Sequence, residues 1–159
     1  MPYESLRRGR ISLIGNYYLL TTATDHRRAL FHDPVAARCV INSMRSLDAA
    51  GHTQTLACMV MPDHLHWLMR LSGRLSLSEV MERFKGRSAR ELNRSTQNSE
   101  PIWQKGFHDR AMRSEDALRS SARYLIENPL RAGLAGRIGD YPWWHSIWEF
   151  WDDGSDCVG

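Results

Sequence analysis

Hydrophobic and polar residues alternate in two segments that flank the dipeptide Pro62-Asp63. One segment runs from Thr53 to Met61 and the other from His64 to Leu71. Proline supplies the fixed φ that the first central position of a tight turn needs, so the two segments are predicted to form a β-hairpin. Residues two apart in a strand face the same side. The alternation therefore places His64 and His66 together on one face of the hairpin.

Two further segments repeat their hydrophobic residues at helical spacing. The first begins with Asp33 as N-cap and Pro34 at the first helical position, and Gly51 ends it. The second carries an apolar face with spacings of four, three, four and four. This face consists of Leu77, Met81, Phe84, Ser88 and Leu92. Both segments are predicted to be amphipathic helices.

A third helix is predicted to begin after Ser114, which is a favourable N-cap and is followed by two acidic residues. It should run to Asn128, because Pro129 disfavours helical geometry in the residue before it. Tyr124 and Asn128 are four residues apart and therefore share one face of this helix.

Residues 11–24 and 107–112 are predicted to add a first and a fourth strand, giving the order β-α-β-β-α-β-α. The first six elements match the split βαβ arrangement. The fold class is therefore α+β, with a ferredoxin-like antiparallel sheet, helices on one face and a C-terminal tyrosine helix. The 159 residues predict one domain. Its core should span about 11–134, between a basic arm at 1–10 and a tryptophan-rich tail at 135–159.

The composition is that of an ordinary globular protein, with 42% hydrophobic and 25% charged residues. No apolar run approaches the roughly 20 residues that a membrane span needs. The three cysteines form no paired spacing, which argues against a disulfide framework or a zinc ribbon. We expect a cytoplasmic protein of a prokaryote.

The net charge of +3 only weakly favours an anionic partner, but the basic residues are clustered. One cluster lies in the N-terminal arm, and the other lies mostly on the polar face of the second helix. These candidate DNA-binding residues are Arg7, Arg8, Arg10, Arg83, Lys85, Arg87, Arg90 and Arg94.

Two imidazoles on one strand face form the beginning of a metal site, and a third ligand must come from elsewhere in the fold. The amide oxygen of Asn128 can coordinate a cation. Glu127 is a competing ligand, but it points about a quarter turn away from the stripe that holds Tyr124 and Asn128. Imidazole ligands by themselves favour zinc, nickel or copper.

Several motifs carry a family resemblance. The run Met61-Pro62-Asp63-His64-Leu65-His66-Trp67 resembles the signature of the HUH single-tyrosine transposases, the IS200-like family, in which U is a bulky hydrophobic residue. Residues 124–134 resemble the tyrosine helix of the REP-associated branch, named after repetitive extragenic palindromes. Residues 103–110 and 140–143 are also similar to that branch. This chain differs from the family in having Asp63 where asparagine is common, and Trp144-His145 where small hydroxyl residues are expected.

The resemblance implies a role for each matching position. His64, His66 and Asn128 would bind a divalent cation, Mg²⁺ or Mn²⁺, and Tyr124 would be the nucleophile. The family cuts and rejoins single-stranded DNA beside hairpins through a 5′-phosphotyrosine intermediate. The expected partner is therefore single-stranded DNA with REP-like hairpins, bound by a monomer or a homodimer.

Two other functions remain open at this stage. The chain could be a non-catalytic nucleic-acid-binding protein on a ferredoxin-like sheet, although the basic aromatic motif of RNA-recognition sheets is absent. It could also be a metal-dependent hydrolase in which water attacks in place of Tyr124.

Overall fold

The computed structural model describes residues 16–97 and 99–150, together with the backbone of Asp156–Cys157. Arg7, Arg8, Arg10 and the first part of the predicted first strand lie outside the described residues. The strands are β1 (Tyr17–Ala23), β2 (Thr53–Met61), β3 (His64–Leu71), β4 (His108–Met112), β5 (Trp144–Ser146), β6 (Glu149–Phe150) and β7 (Asp156–Cys157). The α-helices are α1 (Pro34–Ala49), α2 (Leu77–Thr96), α3 (Glu115–Ile126) and α4 (Asn128–Arg131).

The main sheet has five antiparallel strands in the order β4-β1-β3-β2-β5. The order of its first four strands is that of the split βαβ fold, which confirms the predicted α+β architecture. The fifth strand comes from the tryptophan-rich tail, where His145 pairs with Cys58 of β2. The tail therefore contributes to the sheet, and β6 and β7 form a separate two-stranded ribbon.

The predicted hairpin of β2 and β3 is present with the predicted bounds. Met61 pairs with His64, which leaves Pro62 and Asp63 as a two-residue turn. The pairing shifts its register between Thr55 and Ala57. Such a bulge bends the strand locally without changing the alternation of β3.

Helices α1 and α2 cover one face of the sheet. Their buried residues form a cluster with Leu65, Trp67 and Met69 of β3. At its centre the ring of Phe84 lies 5.3 Å from that of Trp67 and 5.5 Å from that of Trp103, between ring centroids. The aromatic rings fix the distance between α2 and the sheet.

Helix α3 covers the opposite face of the sheet. Leu118, Ala122 and Leu125 pack in a second buried cluster with Met59 and Leu68. Strands β2 and β3 are therefore buried on both faces, because α3 lies opposite to α1 and α2. The prediction that helices cover one face is confirmed for α1 and α2. Helix α3, which carries Tyr124, covers the other face.

The N-caps agree with the sequence, since Asp33 accepts a hydrogen bond from the Val35 amide and Ser114 from the Ala117 amide. The predicted end of the third helix was wrong. Helix α3 ends at Ile126, and Glu127 separates it from the short helix α4, which contains Pro129. Proline is tolerated in the first turn of a helix, where its missing N–H needs no partner.

Within the described ranges, no helix is both long and apolar enough to cross a membrane.

Ser88 tests the packing of α2 on the sheet, because its hydroxyl accepts a 2.9 Å hydrogen bond from the buried Trp103 indole. Ser88→Ala leaves this donor without its partner. We expect the free energy of unfolding in urea to fall by about 1–3 kcal/mol. The exposed Ser78 of the same helix is the control, and Ser78→Ala should change stability little. Equal effects of the two substitutions would show that the indole bond contributes nothing.

Candidate active site

His64 and His66 project from β3 toward α3, on the face opposite to Leu65 and Trp67. Their Nε2 atoms are 3.2 Å apart. The two rings are almost perpendicular, at 89°, with centroids 4.8 Å apart. The shared strand face that the alternation predicts is thus present in the fold.

The second ring nitrogen of each histidine has its own partner. Nδ1 of His64 lies 2.7 Å from a carboxylate oxygen of Asp63, and Nδ1 of His66 lies 3.1 Å from the Thr21 hydroxyl. An ionised carboxylate only accepts hydrogen bonds, so the Nδ1 of His64 is the donor in this pair, and its Nε2 is the atom that faces His66. A hydrogen bond of this kind fixes both the tautomer and the orientation of a ligand histidine.

The turn that carries Asp63 is held by the connection between β1 and α1. The amide of Thr24 donates to the Asp63 carbonyl at 2.9 Å, and the amide of Phe31 donates to the Pro62 carbonyl at 3.0 Å. Arg27 binds the Asp63 carboxylate at 3.1 Å. Both the backbone and the side chain of Asp63 are therefore fixed, and with them the position of His64.

Burial and charge set the protonation of this site. Burial, followed by the charges of His64, Arg131 and Arg27, lowers the pKa of His66 to about 4. Partial burial acts to raise the pKa of Asp63, but the hydrogen bond from His64 and the charges of His64 and Arg27 lower it overall. At neutral pH His66 is therefore a neutral imidazole and Asp63 a carboxylate, the forms that a metal site uses.

The spacing of the two imidazoles fits a divalent cation. Two nitrogens that each lie about 2.1 Å from one ion are about 3.0–3.4 Å apart at octahedral or tetrahedral angles. The observed 3.2 Å between the Nε2 atoms lies in this range. The separation of the two nitrogens is therefore compatible with a single ion.

Tyr124 lies on α3, and its side chain is 63% exposed. It lines a cleft of about 620 Å³ between α3 and the strands β1 and β4, and His66 lines the same cleft. The phenol makes no hydrogen bond to a described residue. The lining residues are Leu19, Thr21, His66, His108, Asp109, Arg110, Ser120, Ser121, Tyr124 and Leu125.

Strand β4 forms a wall of this cleft for which the sequence pattern indicated no role. His108 pairs with Thr21, and Arg110 pairs with Leu19, so both point to the α3 side of the sheet. Alternation within β4 places His108, Arg110 and the buried Met112 on one face. That alternation was readable in the sequence, but only the strand order shows that this face adjoins the histidines.

The candidate ligands on the side of the helix are Asn128 and Glu127. Asn128 is half-buried at the start of α4, and among the described residues it does not line the cleft. Glu127 is bound by Arg123 at 2.8 Å and by Arg131 at 3.7 Å. In the described part of the chain, no three His, Cys, Asp or Glu side chains converge on one point. Asn128 as third ligand therefore stays a prediction.

The basic stripe of α2 consists of Arg83, Lys85, Arg87, Arg90 and Arg94. It lies across the sheet from the cleft. It borders a groove between α1 and α2, lined in part by Arg83, Arg87 and Arg90. Arg87 binds Glu91 at 3.1 Å. Lys85 donates to the carbonyl oxygens of Gln104 and Gly106, and burial lowers its pKa. Arg94 is exposed near the end of α2. None of these five residues lines the cleft of Tyr124.

Metal binding to the imidazole pair can be measured with Mn²⁺ alone, by calorimetry. We expect one ion per chain, and His64→Ala or His66→Ala should each weaken binding strongly because a ligand is lost. Asp63→Asn should weaken it about 10–100-fold, since it alters the partner of a ligand nitrogen. Asn128→Ala should have a smaller effect, because water can replace a neutral oxygen ligand.

The exposed His32 provides the control, and His32→Ala should leave Mn²⁺ affinity unchanged. Unaltered Mn²⁺ binding in His64→Ala would rule out the imidazole pair as the site.

The chain is similar to known proteins in sequence and in fold. The family model described as Transposase IS200 like matches residues 13–128. A Haemophilus influenzae protein described as a REP-associated tyrosine transposase is 25% identical over 100 residues, which cover 57% of each chain. The match thus spans little more than half of that relative.

Two solved structures share the fold. The structure of a REP-associated tyrosine transposase bound to a REP hairpin has a TM-score of 0.71 at 17% identity, covering 94% of this chain and 97% of that one. A Deinococcus radiodurans protein assigned as a transposase has a TM-score of 0.54 at 23% identity, covering 73% and 92%. The family model spans most of the chain, and the resemblance seen in the sequence is confirmed: the chain belongs to the IS200-like transposase family.

Proposed function

We propose that this protein is a metal-dependent single-stranded DNA strand transferase, which cuts and rejoins DNA beside hairpins through a 5′-phosphotyrosine at Tyr124. One observation carries the proposal. An exposed phenol and an imidazole of a convergent pair line the same cleft, on one face of the sheet. Membership of a transposase family supports a role in DNA processing.

The proposed reaction is a transesterification. The Tyr124 oxygen forms a bond to the phosphorus of a DNA phosphodiester, and the bond from phosphorus to the 3′ oxygen breaks. The phenol proton passes to solvent, and the leaving 3′ oxygen gains a proton. The new 5′ end stays attached to Tyr124 through its phosphate, and the other fragment leaves with a 3′ hydroxyl. Attack of a 3′ hydroxyl on this phosphotyrosine reverses the step, so rejoining needs no nucleotide cofactor.

The residues of the site have different proposed roles. A divalent cation held at His64 and His66 would stabilise the negative charge that develops on the phosphate oxygens. Mg²⁺ or Mn²⁺ is the expected ion, from the family resemblance. Asp63 and Thr21 orient the two imidazoles. Arg110 on the cleft wall can neutralise a neighbouring phosphate of the strand.

The DNA partner is inferred from the shape of the site and from a structural neighbour. The cleft opens to solvent, and the exposed Tyr124 can meet a strand that enters from outside. The REP-associated structure with the same fold is bound to a REP hairpin. We propose that this chain also recognises hairpins with single-stranded flanks, as a monomer or a homodimer.

Two other functions give different products. A hydrolase with the same pair of imidazole ligands would cut DNA without becoming attached to it, and a binding protein would not cut at all. The position of Tyr124 favours strand transfer, because its phenol is exposed and lines the same cleft as His66.

Tyr124→Phe tests the nucleophile. The substitution removes one oxygen atom and keeps the ring, so hairpin binding should stay within about twofold of the wild type. Cleavage and the covalent adduct should both be lost. The assay incubates labelled hairpin DNA with protein and Mn²⁺, then separates the adduct on a denaturing gel.

The matched control is Tyr141→Phe, which also removes a phenol oxygen. The Tyr141 hydroxyl donates to the Val60 carbonyl at 2.6 Å, and burial raises its pKa to about 12. This variant should be less stable than the wild type, but it should still form the adduct. If Tyr124→Phe still cuts DNA with metal present, water or another residue attacks, and the hydrolase function replaces the transferase.

The salt dependence of DNA binding distinguishes the contribution of Arg110 in the cleft from that of the arginines on α2. DNA affinity should fall as salt rises, because each neutralised phosphate releases counterions. Arg110→Gln should lower the slope of log affinity against log salt by about one and also slow cleavage. Replacing Arg83, Arg87, Arg90 and Arg94 together should lower the slope for DNA with long flanks.

The fourfold variant should still cleave a minimal hairpin at the wild-type rate, since its residues lie across the sheet from the cleft. An unchanged slope for long DNA would show that the stripe is only a solvated helix face.

A further inference from the structure

Arg131 lies directly over the proposed nucleophile. Its guanidinium carbon is 3.8 Å from the centroid of the Tyr124 ring. The same guanidinium donates a hydrogen bond to the backbone carbonyl of Tyr124. A cation over an aromatic face is attracted by the negative charge of the π-system. Arg131 therefore contacts both the side chain and the backbone of Tyr124.

A shared carboxylate holds Arg131 in this position. Glu127 lies between two arginines, at 2.8 Å from Arg123 and 3.7 Å from Arg131. The planar guanidinium can stack and donate hydrogen bonds at once, which an ammonium group cannot do. Arg131 is thus fixed by a carboxylate on one side and a carbonyl on the other, with its face toward the phenol ring.

The ring of Tyr124 needs such a contact. Its side chain is 63% exposed, so the protein core does not select its rotamer. A nucleophile on a mobile side chain loses rate, since misplacement by about 1 Å can cost about 100-fold. The Arg131 stack restricts the ring on the cleft side of α3.

The guanidinium of Arg131 carries a permanent positive charge, and its contact with the ring places that charge beside the phenol. A fixed positive charge there favours the negative charge that develops on the phenol oxygen as its proton is lost.

We infer that Arg131 is a positioning residue of the proposed strand transfer, which holds the Tyr124 ring in the cleft by stacking and supplies positive charge beside it. This inference rests on the proposed function. A purely structural alternative exists, since a basic residue at a helix C-terminus often caps the last carbonyls. Arg131 would then stabilise the end of α3 and do nothing in the reaction.

The test measures adduct formation in a single turnover, with saturating hairpin DNA and Mn²⁺, for the full chain. Arg131→Gln should slow this rate at least about tenfold while the DNA affinity changes less than about threefold. Arg131→Lys keeps the charge without the planar stack, so its rate should lie between the rates of the wild type and Arg131→Gln. Added methylguanidine, at concentrations too low to denature the protein, should restore part of the rate of Arg131→Gln.

Arg123→Gln is the matched control. Arg123 binds the same Glu127 carboxylate, but it stacks on Phe150, with 5.6 Å from its guanidinium carbon to the ring centroid. Its rate should stay within about twofold of the wild type. Urea unfolding of every variant gives the folded fraction, by which each rate is corrected.

The outcomes are distinct. A wild-type chain that forms no adduct overturns the proposed function and this inference with it. An adduct that forms equally fast in Arg131→Gln and the wild type overturns the inference alone. Loss of stability in Arg131→Gln, with a corrected rate like that of the wild type, assigns Arg131 to the structural cap.

Discussion

The turn between β2 and β3 is the constraint on which the candidate site depends. Two backbone amides, from Thr24 and Phe31, hold the carbonyls of Asp63 and Pro62. A slip of one residue in the register would move every side chain of β3 to the other face of the sheet. It would also place His66 in the core at the position of Trp67, which is fully buried. The large free energy of burying an indole therefore also specifies where the imidazoles point.

The sheet has two apolar faces, and this explains how the tyrosine reaches the histidines. Helices α1 and α2 bury the first face, which leaves Met59 and Leu68 on the second. Only a further amphipathic segment can remove that surface from water, and α3 does so through Leu118 and Leu125. Docking its apolar face fixes its rotation, so that Tyr124 at the border emerges into the cleft of His66. The same burial that stabilises the fold therefore positions the proposed nucleophile.

Asp63 links two parts of the structure. Its carboxylate binds both His64 and Arg27. An amide could also accept a hydrogen bond, but it carries no charge. The carboxylate fixes the orientation of the His64 imidazole through this hydrogen bond. It also joins the loop after β1 to the hairpin through an ion pair.

Local patterns in the sequence determined the strands β2 and β3, the caps at Asp33 and Ser114, and the common face of His64 and His66. Each depends on residues close together in the chain, where periodicity and turn chemistry are decisive. The strand made by Trp144–Ser146 and the docking of α3 that brings Tyr124 into the cleft of His66 were decided by the tertiary structure. Pairing of β5 with β2 joins residues some 90 positions apart. No local pattern specifies such contacts, because their free energy comes from surfaces that meet only in the folded chain.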